Sequence, residues 1–315
     1  MSFNIPASFQ SKYQNNVEMA LQQQKSLLVD CVMVTDDISA DKIKVRDIVG
    51  NTAPNATSER HGDTKYANTG HDGVWLSKPD ELYFAELTDN ADKLGTSIDL
   101  DDAYTMSGAG TVNRSIDMRI LQGAYGAIIS GKEGTITTPF PAGFVIPVGI
   151  GGAAGPQRLN VTKVRASKIQ LDSQFVDAAE PRFMTLTAIQ ADDLLAEVQA
   201  TSRDFEKSYA VKYNDSGGLS GLLGFNIIQI ELSNPLMVSM DGAVNIPALS
   251  LDGSGYRRNL FWAKSGITCN FWQRLRTSID PMPGKQLSIQ TWAGTTVAAT
   301  RTQAPRVGII LNSEA

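Results

Sequence analysis

Between Gly50 and Gly73 the chain has no Ile, Leu, Val, Phe, Trp or Met, and Tyr66 is its only large apolar residue there. A stretch of that kind cannot bury enough surface to fold alone, and structureless loops of that length are uncommon inside compact domains. Either it is disordered, or it projects and becomes ordered against another subunit. Strand-like runs stand on both sides of it. Residues 41–46 alternate with one wet face, and residues 82–87 follow as a second run.

The rest of the chain mixes helix and strand patterns, which makes an α+β fold the expectation. Phe9, Tyr13, Val17, Ala20, Leu21 and Leu28 recur at helical spacing behind Ser8, a candidate N-cap. The longest helical pattern spans residues 102–129, with Ala109, Val112, Ile116, Ile120, Ala124 and Ile128 on one face. Asp99, Asp101 and Asp102 suit its N-terminus through capping and the helix dipole. Gly108, Gly110, Gly123 and Gly126 interrupt it at about 1 kcal/mol each relative to Ala, so bending or fraying is expected there. Residues 135–156 read as irregular loop with a short strand, and 161–175 as a helix. Residues 182–189 read as a strand, 191–198 as a short helix, and 212–223 as a Gly- and Ser-rich loop. Strands are expected at 225–232, 260–263, 267–275, 286–293 and 307–311.

Composition narrows the function classes. The net charge of −5 argues against tight binding to nucleic acid phosphates, which needs clustered Lys and Arg. Cys31 and Cys269 are the only cysteines and form neither a disulfide framework nor a metal pattern. No run of about 18 apolar residues suggests a membrane span. Met1-Ser2-Phe3-Asn4-Ile5-Pro6 lacks the basic and apolar order of a signal peptide, so the expected compartment is the cytoplasm.

Two glycine motifs raise a nucleotide-binding enzyme as the alternative. Gly126-Ala127-Ile128-Ile129-Ser130-Gly131-Lys132-Glu133 has the Gly and Lys spacing of a phosphate-binding loop, but Glu133 stands where Ser or Thr should hold magnesium. It also follows a helix instead of lying between a strand and a helix. Val148-Gly149-Ile150-Gly151-Gly152-Ala153-Ala154 resembles a dinucleotide fingerprint, but Pro147 and Gly155-Pro156 break the strand and the helix it requires. His61 and His71, the only histidines, sit in the polar stretch without ligand spacing. No catalytic set, cofactor site or metal site is expected.

The order of these parts resembles one family. Ile5-Pro6-Ala7-Ser8-Phe9-Gln10, Tyr13-Gln14-Asn15-Asn16-Val17 and Leu21-Gln22-Gln23-Gln24-Lys25 look like the opening helix of tailed-bacteriophage major capsid proteins with the Hong Kong 97-type fold. Arg60-His61-Gly62-Asp63-Thr64, Leu87-Thr88-Asp89-Asn90-Ala91-Asp92-Lys93 and Asp99-Leu100-Asp101-Asp102-Ala103-Tyr104 continue the match. The resemblance implies an N-arm (1–40), an E-loop hairpin (41–88) and a peripheral domain with a spine helix (89–176). An axial domain (177–271) and return strands of the peripheral domain (272–315) complete it. It further implies an icosahedral shell of pentamers and hexamers around double-stranded DNA, assembled in the host cytoplasm. The partners would be other copies of the chain, a separate scaffold, a portal and cement proteins, with no membrane and no sequence-specific DNA contact. Phe9, Tyr13, Arg60, Asp63, Lys65 and Tyr66 are the subunit-interface candidates. No motif assigns a Lys–Asn crosslinking pair.

Overall fold

The computed structural model describes residues 23–50, 52–56, 60–89, 100–152, 155–197, 211–214 and 218–314. Most of the expected N-terminal helix, with Ser8, Phe9 and Tyr13, lies outside them, as do the acidic side chains expected to cap the long helix. The last residue of that N-terminal pattern, Leu28, is described and is buried in a segment that is not helical. The first strands are β1 (Met33–Thr35), β2 (Lys42–Val49), β3 (His71–Ser77) and β4 (Leu82–Thr88). Helix α1 (Leu100–Tyr125) follows, then β5 (Ile128–Ser130), β6 (Ile136–Thr138) and β7 (Val145–Ile146). Helix α2 (Val161–Ser173), strand β8 (Arg182–Leu186) and helix α3 (Ala188–Ala196) come next. Strands β9 (Lys212–Tyr213), β10 (Leu219–Leu222) and β11 (Phe225–Gln229) precede the single-turn helix α4 (Ile246–Leu249). The C-terminal strands are β12 (Arg257–Ala263), β13 (Ile267–Met282), β14 (Ser288–Arg301) and β15 (Val307–Asn312). Among the described residues the sheets run β2-β3-β5-β6, β1-β13-β14-β4 and β7-β15-β12-β8-β11-β10-β9.

The chain divides into two compact units. The described part of the first is residues 23–26, 80–89, 100–115 and 273–296. There β4 pairs antiparallel with β14, Phe84 opposite Ala293. A Cβ on Gly108 of α1 would lie 2.8 Å from Phe84 Cδ1, so glycine lets the helix approach this ring closely. Arg114 Nη1 and Asn113 Nδ2 donate to the carbonyls of Gln23 and Gln24 at 2.9 and 2.8 Å.

The second unit holds the rest and is layered about the seven-stranded sheet. Strand β12 shows why both faces are covered. Leu260 and Trp262 enter one buried cluster with Ile116, Ile120, Leu121 and Ala124 of α1. Phe261 and Ala263 enter another with Val164 and Leu171 of α2 and Leu194 of α3. The four consecutive apolar residues Leu260 to Ala263 point to both faces, so each face needs a covering layer. The sheet draws on residues 145–146, 182–186, 212–213, 219–222, 225–229, 257–263 and 307–312, so it takes strands from both sides of the expected domain boundaries at 176/177 and 271/272.

Several local expectations change. Helix α1 runs unbroken through Gly108, Gly110 and Gly123, and it ends at Tyr125, not at 129. Its C-terminal carbonyls are taken by Arg301, whose Nη1 donates to Ala124 O and Gly126 O at 2.5 Å each. Burial, with Arg258 nearby, lowers the Arg301 pKa to about 10. Ile128 and Ile129 continue the apolar pattern but pair as a strand with Thr138 and Thr137. Thr187 and Gln190 form a reciprocal capping box, which starts α3 at Ala188 and ends the preceding strand at Leu186. The expected loop at 212–223 contains β9 and β10.

Lys163 is fully buried at the start of α2. Its Nζ donates to Gln157 O and Leu311 O at 2.8 Å and to Asn312 Oδ1 at 3.1 Å. Burial lowers its pKa from 10.5 to about 8. Between those values the folded chain sheds this proton while the unfolded chain keeps it, so stability rises as pH rises across the window. The contribution is at most about 3 kcal/mol. Chemical denaturation of wild type and Lys163→Met at pH 8 and pH 10.5 should show the difference moving in favour of wild type. A difference unchanged by pH would mean that the ammonium stays charged throughout.

Candidate subunit interface

The described residues between Gly50 and Gly70 lie at the end of a hairpin. Strand β2 pairs antiparallel with β3 from Lys42↔Ser77 to Val49↔His71, with a bulge between Lys44 and Arg46. Gly50 N donates to Gly70 O at 2.8 Å and closes the stem. The expected partner, the run at 82–87, is β4 and pairs with β14. Strand β3 was not foreseen, because His71, Asp72 and Gly73 hide its start.

The stem is fixed at its base. Ile43 and Leu76 are buried against Ala298, with Val45 and Trp272 packed around them. On the other side β3 pairs with β5, Val74 opposite Ser130 and Trp75 opposite Ile129. The turn after β5 grips the stem by polar contacts. Trp75 Nε1 donates to Gly131 O at 2.7 Å, Gly131 N donates to Asp72 Oδ1 at 2.7 Å, and Lys42 Nζ donates to Gly134 O at 2.7 Å. Lys42 also lies 5.6 Å from the Trp75 ring centroid.

That turn is the phosphate-loop look-alike. Gly131 and Gly134 adopt positive φ, and the chain goes on into β6, not into a helix. No helix N-terminus therefore faces Lys132, which is exposed beside the exposed Glu133. Its glycines serve the turn that holds the hairpin stem. The other glycine motif leads from β7 through Gly151, at φ 96°, to α2, which begins only at Val161.

The tip carries four of the sequence candidates. Arg60, Asp63, Lys65 and Tyr66 are all exposed, Tyr66 by 90%. The tip is braced by Asn55 Nδ2, which donates to Lys65 O at 3.0 Å. His61 is exposed with φ 65°, and His71 Nδ1 is 4.0 Å from Asp47 Oδ2. Among the described residues no group of His, Cys, Asp or Glu could hold a metal ion. Phe9 and Tyr13 lie outside the described residues.

Comparison with known proteins places this architecture. The sequence matches the family described as phage capsid protein over residues 5–314. The chain belongs to that family.

Solved structures show the fold of this capsid protein independently. It resembles the capsid structure of cyanophage P-SCSP1u, with a TM-score of 0.72 and 14% identity, covering 100% of this chain and 96% of that one. It resembles the head of Helicobacter pylori bacteriophage KHP40, with a TM-score of 0.70 and 12% identity over 99% of each chain. It also resembles the capsid of Ralstonia phage GP4, with a TM-score of 0.67 and 10% identity, covering 99% of this chain and 97% of that one. No curated protein matches the sequence. The fold is the Hong Kong 97-type capsid fold, and the chain is a major capsid protein, a structural subunit of the phage shell.

Proposed function

We propose that this capsid protein closes an icosahedral shell of pentamers and hexamers around double-stranded DNA, with the β2–β3 hairpin lying across a neighbouring subunit. One observation carries the reading. The hairpin has a stem fixed by a buried cluster and polar clamps, and a tip whose described residues enter no buried cluster of the chain. A rigid stem with an exposed tip suits a strap, because most of the ordering cost is met before the neighbour is engaged.

In this reading Arg60, Asp63, Lys65 and Tyr66 touch the neighbour, and the N-terminal segment with Phe9 and Tyr13 makes a second contact. Segments 89–176 and 272–315 act as the peripheral domain, and 177–271 forms the axial contacts around the ring centres. The chain works by assembly and not by catalysis. Assembly takes place in the host cytoplasm with a separate scaffold, a portal and cement proteins. DNA is enclosed without sequence-specific contact, in keeping with the net charge of −5.

Negative-stain microscopy and crosslinking of the expressed full chain test this together. Closed particles should form, and amine-reactive crosslinking should join Lys65 to residues of another copy. Particles in which Lys65 links only within its own chain would remove the strap while leaving the capsid assignment in place.

A further inference from the structure

Helix α2 ends in a Schellman turn. Val176 N donates to Leu171 O and Phe175 N to Asp172 O, both at 3.2 Å. Leu171 and Val176, the apolar pair that accompanies this motif, are both buried. Arg182 fixes the turn, its Nη2 donating to Val176 O at 3.1 Å and lying 2.7 Å from Asp172 Oδ1. The left-handed position of the motif normally takes glycine, because a side chain there is strained. This chain places Phe175 there, at φ 56° and 96% exposed. The isolated subunit thus carries backbone strain and a fully wetted aromatic ring at one residue, and gains no burial in return.

The same end of the unit offers more apolar surface. Thr162, Arg165, Ile169 and Asp172 recur three and four residues apart and are all exposed, Ile169 by 64%. Helix α3 exposes Ile189, by 50%, and Asp192 three residues on. On α2 the Asp172 carboxylate is held by Arg182, which leaves Arg165 as the charge beside Ile169, and on α3 Asp192 is the charge beside Ile189. Two different complementary patches on one subunit are what a head-to-tail ring contact requires.

We propose that Phe175 and Ile169 anchor each subunit to α3 of a second copy of this chain, with Arg165 facing that copy's Asp192. The contact does not involve the β2–β3 hairpin. A few central anchors, shielded from water by near-neutral contacts around them, carry most of the affinity of protein interfaces, and burial against a neighbour would offset the cost that Phe175 imposes on the free subunit.

The test uses the full chain under conditions in which wild type forms particles. Phe175→Gly and Phe175→Asn should melt no lower than wild type, since both residues accept a left-handed backbone. Their particle yield by sedimentation and negative-stain microscopy should fall by roughly tenfold or more. Arg165→Asp should lower the yield similarly, and adding Asp192→Arg should restore it. Normal particle yield from Phe175→Gly would overturn the proposal. So would a lowered melting temperature in both Phe175 variants, which would place the ring in its own subunit's core. Failure of the paired charge reversal to restore assembly would remove α3 as the receiving surface. A hairpin deletion measured alongside keeps the two contacts apart, because loss of the strap leaves the melting behaviour of the Phe175 variants unchanged.

Discussion

Replacing residues 54–68 with a two-residue turn should leave a soluble, cooperatively melting subunit that no longer makes closed particles. The structure gives the reason for both halves. Gly50 N and Gly70 O already meet at 2.8 Å, so the stem remains paired when the chain beyond it is shortened. The buried group at its base, Ile43, Leu76 and Ala298, is untouched. Closure entropy changes slowly with loop length, so shortening should alter subunit stability by about 1 kcal/mol or less. On the assembly side the deletion removes Arg60, Asp63, Lys65 and Tyr66 together. An exposed ion pair contributes only about 0.2–1 kcal/mol, but in a shell the loss recurs at every subunit. Circular dichroism melts and electron microscopy of one preparation read both outcomes. If the shortened chain fails to fold, the tip belongs to the subunit's own core. If normal shells form, the hairpin is not a strap.

Gly123→Ala should destabilise the subunit by about 3 kcal/mol, although alanine is the better helix former. A Cβ at Gly123 would lie 2.0 Å from Ala299 O and 2.4 Å from Ala299 C, which are backbone atoms of β14 in the same unit. Backbone held in a sheet cannot rotate aside as a side-chain end can, so helix and strand must separate around a core that includes Leu121 and Ala299. Gly110→Ala is the matched control. The nearest atom to a Cβ there is Gln23 O at 3.5 Å, an ordinary contact. That variant should gain roughly 0.5–1 kcal/mol from helix propensity. Urea denaturation of the pair measures the opposite signs. Equal effects from both substitutions would refute the close-approach argument.

How far the sequence revealed the structure depended on whether the deciding force was local. Strand β2 and the C-terminal strands show period-two or continuous apolar patterns, and pairing extends them without moving them. Helix α1 was legible along its apolar face but not at its end. Ile128 and Ile129 keep the helical pattern, whereas the cap that stops the helix, Arg301, comes from a strand 177 residues away from Ala124. Strand β3 was invisible because only Val74, Trp75 and Leu76 of its seven residues are apolar, and its strand state depends on β2 and β5 beside it. At the candidate interface, exposure of Arg60, Asp63, Lys65 and Tyr66 followed from the missing apolar residues around them. Nothing in the sequence marks Phe175, because its left-handed backbone is imposed by the turn and the arginine that closes it.

The seven-stranded sheet ends at both edges in strands of two residues, β7 and β9. A long bare edge is a template on which foreign strands can add without limit, and a fibril grows that way. Two residues offer too short a ladder to seed one. A protein whose task is to assemble with copies of itself therefore keeps the main-chain hydrogen bonds of this sheet out of the growth reaction. In the proposed assembly, growth through side chains and the β2–β3 hairpin fixes the angle at each step, so the polymer curves back on itself and stops when the surface is complete.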